Sequence, residues 1–325
     1  MRRIHKILVG IVPQARKGEL TPGSRNALTQ ASWLAERVGA ELILLHSTWS
    51  EDRPAADPPG DSPGDSAGDA TGDPTGGEAE PRLGEEACAL LDSIVDEHTA
   101  RGVPCRLVVT SERPWLAITH GVLRGEADLV VVGKREEVSG EGGRRLGTQA
   151  VKLLRKCPSP VWVVKPEHDL VHKLVLAATD LTPVGDLAVE HGAFVAAKHA
   201  CTLHGVHAYS LPMSLQLAAG RMDEQEYEEA LDQIKSTAQS HIDRVIDSCG
   251  FDGESAVHIG RNAPFLAIRE AVEHLHPDLL VMGTVSQGGF AGFLVGNTAE
   301  RLLDRVDCSI LTVKPADFVC PLAMP

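Results

Sequence analysis

Residues 282–303, MGTVSQGGFAGFLVGNTAERLL, run from an apolar strand end through a glycine-rich loop into a helix start. Glycine lets a backbone approach a phosphate closely, and the free N–H groups at a helix start, with the helix dipole, favour an anion. Gly283 stands at the strand end, and Gly296, Asn297 and Thr298 open the helix. Upstream, LAATD ends in Asp180, a carboxylate able to accept hydrogen bonds from a ribose or a base. In an open parallel sheet, ligands sit beyond the carboxyl ends of the strands where the strand order reverses. The first and fourth strands of a doubly wound unit would flank that point and bring Asp180 and Gly283 together.

Other chemistry finds less support. The chain has no G-x-S-x-G and no G-x-x-x-x-G-K-[ST], and no nucleophile with a base beside it. No catalytic residue is assigned. HACTLHGVH places His199, Cys201, His204 and His207 close together, but strand alternation puts Cys201 and His207 on one face and His204 on the other. Hydrogen-bonded histidines are therefore expected there, and no metal.

The elements that must position the site come from an internal repeat. RPWLAITHGVLRGEADLVVVG (113–133) and APFLAIREAVEHLHPDLLVMG (263–283) align without a gap. In each, a proline opens an amphipathic helix and an apolar strand ends in glycine, Gly133 or Gly283. The similarity continues in GTQAVKLLRKCPSPVWVVKP and GNTAERLLDRVDCSILTVKP, and extends backwards to pair KILVGIVP with KLVLAATD and AELILLHSTW with CTLHGVHAY. The last pair aligns His46 with His207, a shared packing position. Each copy reads as five short strands, rich in Val, Leu and Ile, alternating with four helices. Such strands are expected in a parallel sheet covered on both faces. The fold class is α/β, with two tandem doubly wound, Rossmann-like domains at residues 1–167 and 168–325. The apolar last strands, PVWVV and SILTV, would be hazardous as bare edges. They are expected to pair with one another, making an intrachain pseudo-dimer, or with another copy.

Composition bounds the rest. The 325 residues are 43 % apolar and carry a formal charge of −14. Much of that charge lies in residues 51–80, where nine acidic residues face one basic residue and Gly-Asp recurs every fourth position. With almost nothing apolar, this segment reads as a disordered insertion between the second strand and second helix of the first copy. With aromatics at 4 % and no basic stripe, a nucleic-acid partner is not expected. No apolar run is long enough to span a bilayer. The seven cysteines are irregularly spaced, which fits reduced thiols and a cytoplasmic chain without a membrane partner.

In these segments the chain resembles the universal stress protein family, in its tandem two-domain form. The resemblance covers both halves apart from the acidic insertion. In the family's nucleotide-binding branch the pattern after the fourth strand is G-2x-G-9x-G-[S/T], with an aspartate ending the first strand, and what this implies is bound ATP. In the second copy Asp180, Gly283 and Gly296 match; Ser286 stands for the second glycine and Asn297 for the Ser or Thr, with Thr298 one position late. Asn297 also fits an N-cap completed by Glu300. In the first copy Val12 occupies the aspartate position, Glu136 replaces the second glycine, and Gly133, Gly147 and Thr148 are the remaining equivalents. A carboxylate where phosphate should lie is repulsive, so this copy is expected to be inactive. Arg144 and Arg145, with Lys134 and Arg135, leave room for a different anion or form a solvated basic turn.

The resemblance implies a stress-response binding or regulatory protein whose second domain holds an adenine nucleotide, ATP with Mg²⁺, with weak hydrolysis at most. Two alternatives stay open. The same fold could bind no nucleotide and work through protein partners or another small ligand, or a small-molecule enzyme could use the cleft. Homodimerisation is likewise open.

Overall fold

The computed structural model describes residues 3–14, 18–50, 84–134, 147–165, 170–209, 222–284, 302 and 305–322. The acidic insertion at 51–80 lies outside them, as do Glu136, Arg135, Arg144, Arg145, Ser286, Gly296, Asn297, Thr298 and Glu300.

The first repeat runs β1 (Lys6–Gly10), β2 (Pro13–Gln14), β3 (Glu19–Leu20), α1 (Pro22–Val38), β4 (Glu41–Ser47), α2 (Glu85–Ala100), β5 (Cys105–Thr110), α3 (Pro114–Leu123), β6 (Leu129–Gly133), α4 (Thr148–Lys156) and β7 (Val161–Val164). The second runs β8 (Leu174–Thr179), α5 (Pro183–His199), β9 (Thr202–Ala208), α6 (Glu224–Ser248), β10 (Ser255–Gly260), α7 (Pro264–Leu275), β11 (Leu279–Gly283) and β12 (Ser309–Val313). The fourth helix expected of this repeat lies, apart from Leu302, outside the described residues.

Helix starts follow local chemistry. Helices α1, α3, α5 and α7 all begin with proline, whose missing N–H is not needed in a first turn. Thr21 and Thr182 cap α1 and α5 by accepting from the N–H groups of Ser24 and Gly185. Asp223 and Glu226 form a reciprocal capping box at α6.

Ten strands form one sheet in the order β10-β9-β8-β11-β12-β7-β6-β1-β4-β5. Within each half every pair is parallel, and the first strand sits beside the fourth: β1 by β6 and β8 by β11. The expected pairing of last strands is observed. β12 and β7 run antiparallel with Ile310 opposite Val163, Leu311 opposite Trp162 and Thr312 opposite Val161. Trp162 and Leu311 are the same position of the repeat, so a pseudo-twofold axis passes between them and the seam is self-complementary.

Two apolar layers cover the sheet. One joins Val9, Leu34, Leu91, Val189 and Ile242 beneath α1, α2, α5 and α6. The other joins Leu8, Trp115, Leu153 and Ile268 beneath α3, α4 and α7. Both layers contain residues of β7 and β12, so the cores continue across the seam. Each repeat also carries one carboxylate at the amino end of its sheet. Asp128 accepts from the N–H groups of His5 and Lys6 at 2.8 and 3.0 Å, and Asp278 from those of Lys173 and Leu174 at 2.5 and 3.0 Å.

These contacts correct one alignment. Matching KILVGIVP with KLVLAATD letter by letter pairs Lys6 with Lys173, whereas the carboxylate contacts pair His5 with Lys173. Register agrees: Ile7 lies beside Leu129 and Val175 beside Leu279, and Leu129 and Leu279 are equivalent in the gapless alignment. The shared lysine is a coincidence of letters at exposed strand ends, which carry little pattern. Counted from the register, Val12 is the equivalent of Asp180.

Lysines cross the seam in both directions. Lys165 donates to the Asp307 carbonyl at 3.1 Å and pairs with its carboxylate at 2.9 Å. Lys314 donates to the carbonyls of Leu154 and Cys157 at 2.7 and 2.6 Å, at the end of α4. Burial pushes the Lys314 ammonium down to about 8.

Candidate functional site

The switch point of the second repeat lies between β8 and β11, at their carboxyl ends. Asp180 follows β8 directly and is exposed. Its Oδ1 accepts from the Thr182 N–H at 3.1 Å and from the Thr182 hydroxyl at 2.5 Å, a local turn typical of Asp before a helix. Thr179 braces the same turn by accepting from the Leu181 N–H at 3.0 Å. Leu181 has φ of 60°, a left-handed conformation unusual for a residue with a branched side chain.

Two further groups hold Asp180, and sequence reasoning missed both. Thr182 is the N-cap of α5 and the partner of Asp180 at once; the run Asp-Leu-Thr-Pro was its signal, readable as a capped helix start. Gly185 is the other. A Cβ there would lie 2.4 Å from Thr179 Oγ1, 2.7 Å from Asp180 Oδ1 and 2.9 Å from Asp180 N. A side chain at 185 would push the carboxylate out of place. Behind the turn, His207 donates through Nδ1 to the Thr179 carbonyl at 2.9 Å, and His46 does the same to Ile11 at 3.0 Å. The shared position of these histidines is a strand-end anchor.

Gly283 ends β11 close to the first turn of α5. A Cβ on Gly283 would meet Val184 Cγ2 at 3.1 Å. In the first repeat the approach is tighter: a Cβ on Gly133 would sit 2.2 Å from the Gly23 carbonyl oxygen and 2.7 Å from Gly23 Cα. At both switch points the space a side chain would take is therefore filled by the protein's own helix. The glycine ending the fourth strand has a packing reason independent of any ligand.

The first repeat differs elsewhere. Val12 is 46 % exposed, and its N–H donates to Ser24 Oγ at 2.9 Å. The connection between β1 and α1 is longer than its counterpart and folds into the β2–β3 hairpin. Gly147 caps α4, with no atom of the described residues within 4 Å of where a Cβ would lie, and Thr148 opens the helix without a side-chain cap. Lys134, read as part of a basic loop, has a buried side chain whose Nζ donates across the seam to the Val306 carbonyl at 3.4 Å.

The four residues of HACTLHGVH go to different partners. His199 accepts from the His172 N–H at 3.1 Å and stacks on Trp33, with ring centroids 3.7 Å apart. His207 anchors Thr179, His204 meets His258, and burial raises the Cys201 thiol to about 11. No helix among the described residues is long and apolar enough to cross a membrane.

Of the candidate nucleotide contacts, Asp180 and Gly283 fall at the same strand ends, as expected of a switch point. An exposed carboxylate held by its own turn fits the ribose or base end of a nucleotide. The other candidate nucleotide contacts, Ser286, Gly296, Asn297 and Thr298, lie outside the described residues.

Comparison with known proteins gives a consistent picture. The sequence model of the universal stress protein family matches residues 4–165 and 172–314. Universal stress protein E of Escherichia coli is 27 % identical over 261 residues, covering 74 % of this chain and 81 % of that protein. Its counterpart in Photorhabdus laumondii is 28 % identical over 240 residues, covering 66 % and 70 %. Among solved structures, a functionally unknown protein from Pseudomonas aeruginosa PAO1 superposes with a TM-score of 0.67 at 22 % identity, covering 97 % of this chain and 94 % of that one. A universal stress protein from Archaeoglobus fulgidus gives 0.56 at 16 % identity, covering 95 % and 98 %. At these identities the superpositions speak to the fold alone.

Proposed function

The chain belongs to the universal stress protein family, and on that premise we propose that it acts in the stress response as a non-catalytic binding or regulatory protein, with one adenine-nucleotide site in its second domain. The observation that carries this reading is Asp180, exposed at the switch point with Oδ1 tied to Thr182. In this reading Asp180 orients the ribose or base, and Gly283, Ser286, Gly296, Asn297 and Thr298 surround the phosphates of ATP with Mg²⁺. The first domain, at residues 1–167, has Val12 where that carboxylate would stand and contributes no site.

A second reading is a chain that binds no nucleotide and works through a protein partner or another small ligand. The approach of Val184 to Gly283 favours it, because a glycine explained by packing is no evidence for phosphate. Ser286 and Asn297 point the same way.

The deciding experiment is mass spectrometry of small molecules released from the purified, denatured protein, followed by titration with ATP and Mg²⁺. One nucleotide per chain, lost in Asp180→Ala, supports the first reading. No binding at millimolar ATP selects the second.

A further inference from the structure

The outer strands of the second domain carry two imidazoles that the fold itself does not require. His204 on β9 and His258 on β10 lie on the same face of the sheet, and His258 Nε2 is 3.1 Å from His204 Nδ1. Their ring centroids are 4.9 Å apart and the planes are tilted by 49°. The first repeat has Ile43 and Val108 at the matching positions. Ile43 is fully buried and Val108 packs against the same apolar layer. Two apolar residues of the repeat are thus exchanged for two nitrogen donors, and β10 is the end strand of the sheet.

We propose that His204 and His258 form an open two-histidine site for a borderline-soft divalent metal ion, of the zinc, nickel or copper class. Two nitrogens that are each about 2.0–2.1 Å from one zinc ion lie roughly 2.9–3.4 Å apart, and the observed separation falls inside that range. Imidazole suits these ions better than magnesium or calcium, which prefer oxygen. Burial lowers the pKa of both rings, and for His204 the neighbouring His258 lowers it further. One of the two facing nitrogens carries the proton of the hydrogen bond between the rings, and on metal binding that proton moves to the outer nitrogen of the same ring, leaving both facing nitrogens as donors. Among the described residues no third His, Cys, Asp or Glu completes a cluster, so the remaining positions fall to water or to a ligand brought by the ion. The site is labile and exchangeable rather than structural. It is also separate from the switch point: Asp180 and Gly283 take no part in it.

The test is isothermal titration of the full chain with zinc chloride in a non-chelating buffer, for the wild type, His204→Gln and His258→Gln. The first zinc equivalent should saturate in the wild type and weaken at least tenfold in each variant. Unchanged affinity in both variants overturns the proposal, as does the absence of saturable binding in the wild type. Should a variant unfold, the wild type decides alone: zinc should protect both histidines from carbethoxylation, read by peptide mass spectrometry. Modification of both at the same rate with and without zinc overturns it.

Discussion

Gly133 and Gly283 hold the same position in two copies of one fold, yet the structure assigns them unequal tolerance to a methyl group. In Gly133→Ala the new Cβ would lie 2.2 Å from the Gly23 carbonyl oxygen, 2.3 Å from its carbon and 2.7 Å from its Cα. All three are backbone atoms in the first turn of α1, so no rotamer change relieves them; the helix must move off β6. Overpacking a core costs about 1–3 kcal/mol where side chains can shift, and a backbone obstacle places this change at or above about 3 kcal/mol. In Gly283→Ala the nearest atom is Val184 Cγ2 at 3.1 Å, a side-chain methyl that needs to yield only slightly. Replacing glycine by alanine also restricts the unfolded chain, worth about 0.4–1 kcal/mol, so the net change should lie within about 1 kcal/mol of zero. Since 1 kcal/mol shifts the Tm of a 150–250-residue unit by about 2–4 °C, Gly133→Ala should lower the Tm by roughly 6–12 °C and Gly283→Ala by a few degrees at most. Scanning calorimetry of both variants measures this. Equal shifts, or a Gly133→Ala protein as stable as the wild type, would refute the argument that helix approach explains these glycines.

The remaining predictions concern the carboxylate, the seam and the loop. If Asp180 is held for a ligand, Asp180→Ala should remove ATP binding, and Thr182→Val should weaken it several-fold while also costing about 1 kcal/mol of stability through the lost cap of α5; retained affinity in Asp180→Ala ends the site assignment. Gly296 replaced by a bulky residue should abolish nucleotide binding in a folded protein, and undiminished affinity would remove that loop from the site. Lys314 has a folded-state pKa of about 8 against 10.5 when exposed. Between those values the unfolded chain keeps a proton that the folded chain has shed, so this group makes stability rise with pH across about pH 8 to 10.5. Below pH 8 the buried charge costs roughly 3 kcal/mol. The buried thiols, raised by burial, act in the opposite direction in both proteins, so the readout is the difference: from pH 7.5 to pH 9.5, urea unfolding should show the wild type gaining stability relative to Lys314→Met, and an identical change in the two proteins would contradict it.

The repeat was legible because its signals are local or periodic. Prolines at helix starts, apolar strands ending in glycine and the recurring Val-Lys-Pro each act within a few residues, and they placed five strands in each half and the seam between PVWVV and SILTV. Other features depend on atoms brought from far along the chain. Lys134 reads as part of a basic turn with Arg135, but its partner carbonyl belongs to Val306, in the other repeat. The fit of Gly23 against Gly133 is backbone against backbone, which composition does not encode. Hairpin strands of two residues, at Pro13–Gln14 and Glu19–Leu20, are too short to show alternation. At the candidate site Asp180 was readable from its place after a strand and Thr182 from the capped helix start Asp-Leu-Thr-Pro, whereas Gly185 acts through its closeness to Asp180 and carries no pattern of its own.

The antiparallel join between β7 and β12 has a consequence for how this molecule behaves when scarce. Halves carried on one chain meet at an effective concentration of the order of millimolar, whatever the number of molecules in the cell. The seam therefore survives dilution that would separate a freely dissociating pair, and occupancy of a site in one half does not depend on protein abundance. Permanent attachment also relaxes selection on the partner half: as long as it presents Trp162 and its neighbours to the shared sheet, its own strand ends can change. Val12, the hairpin after it and the inward-turned Lys134 fit a half freed in that way.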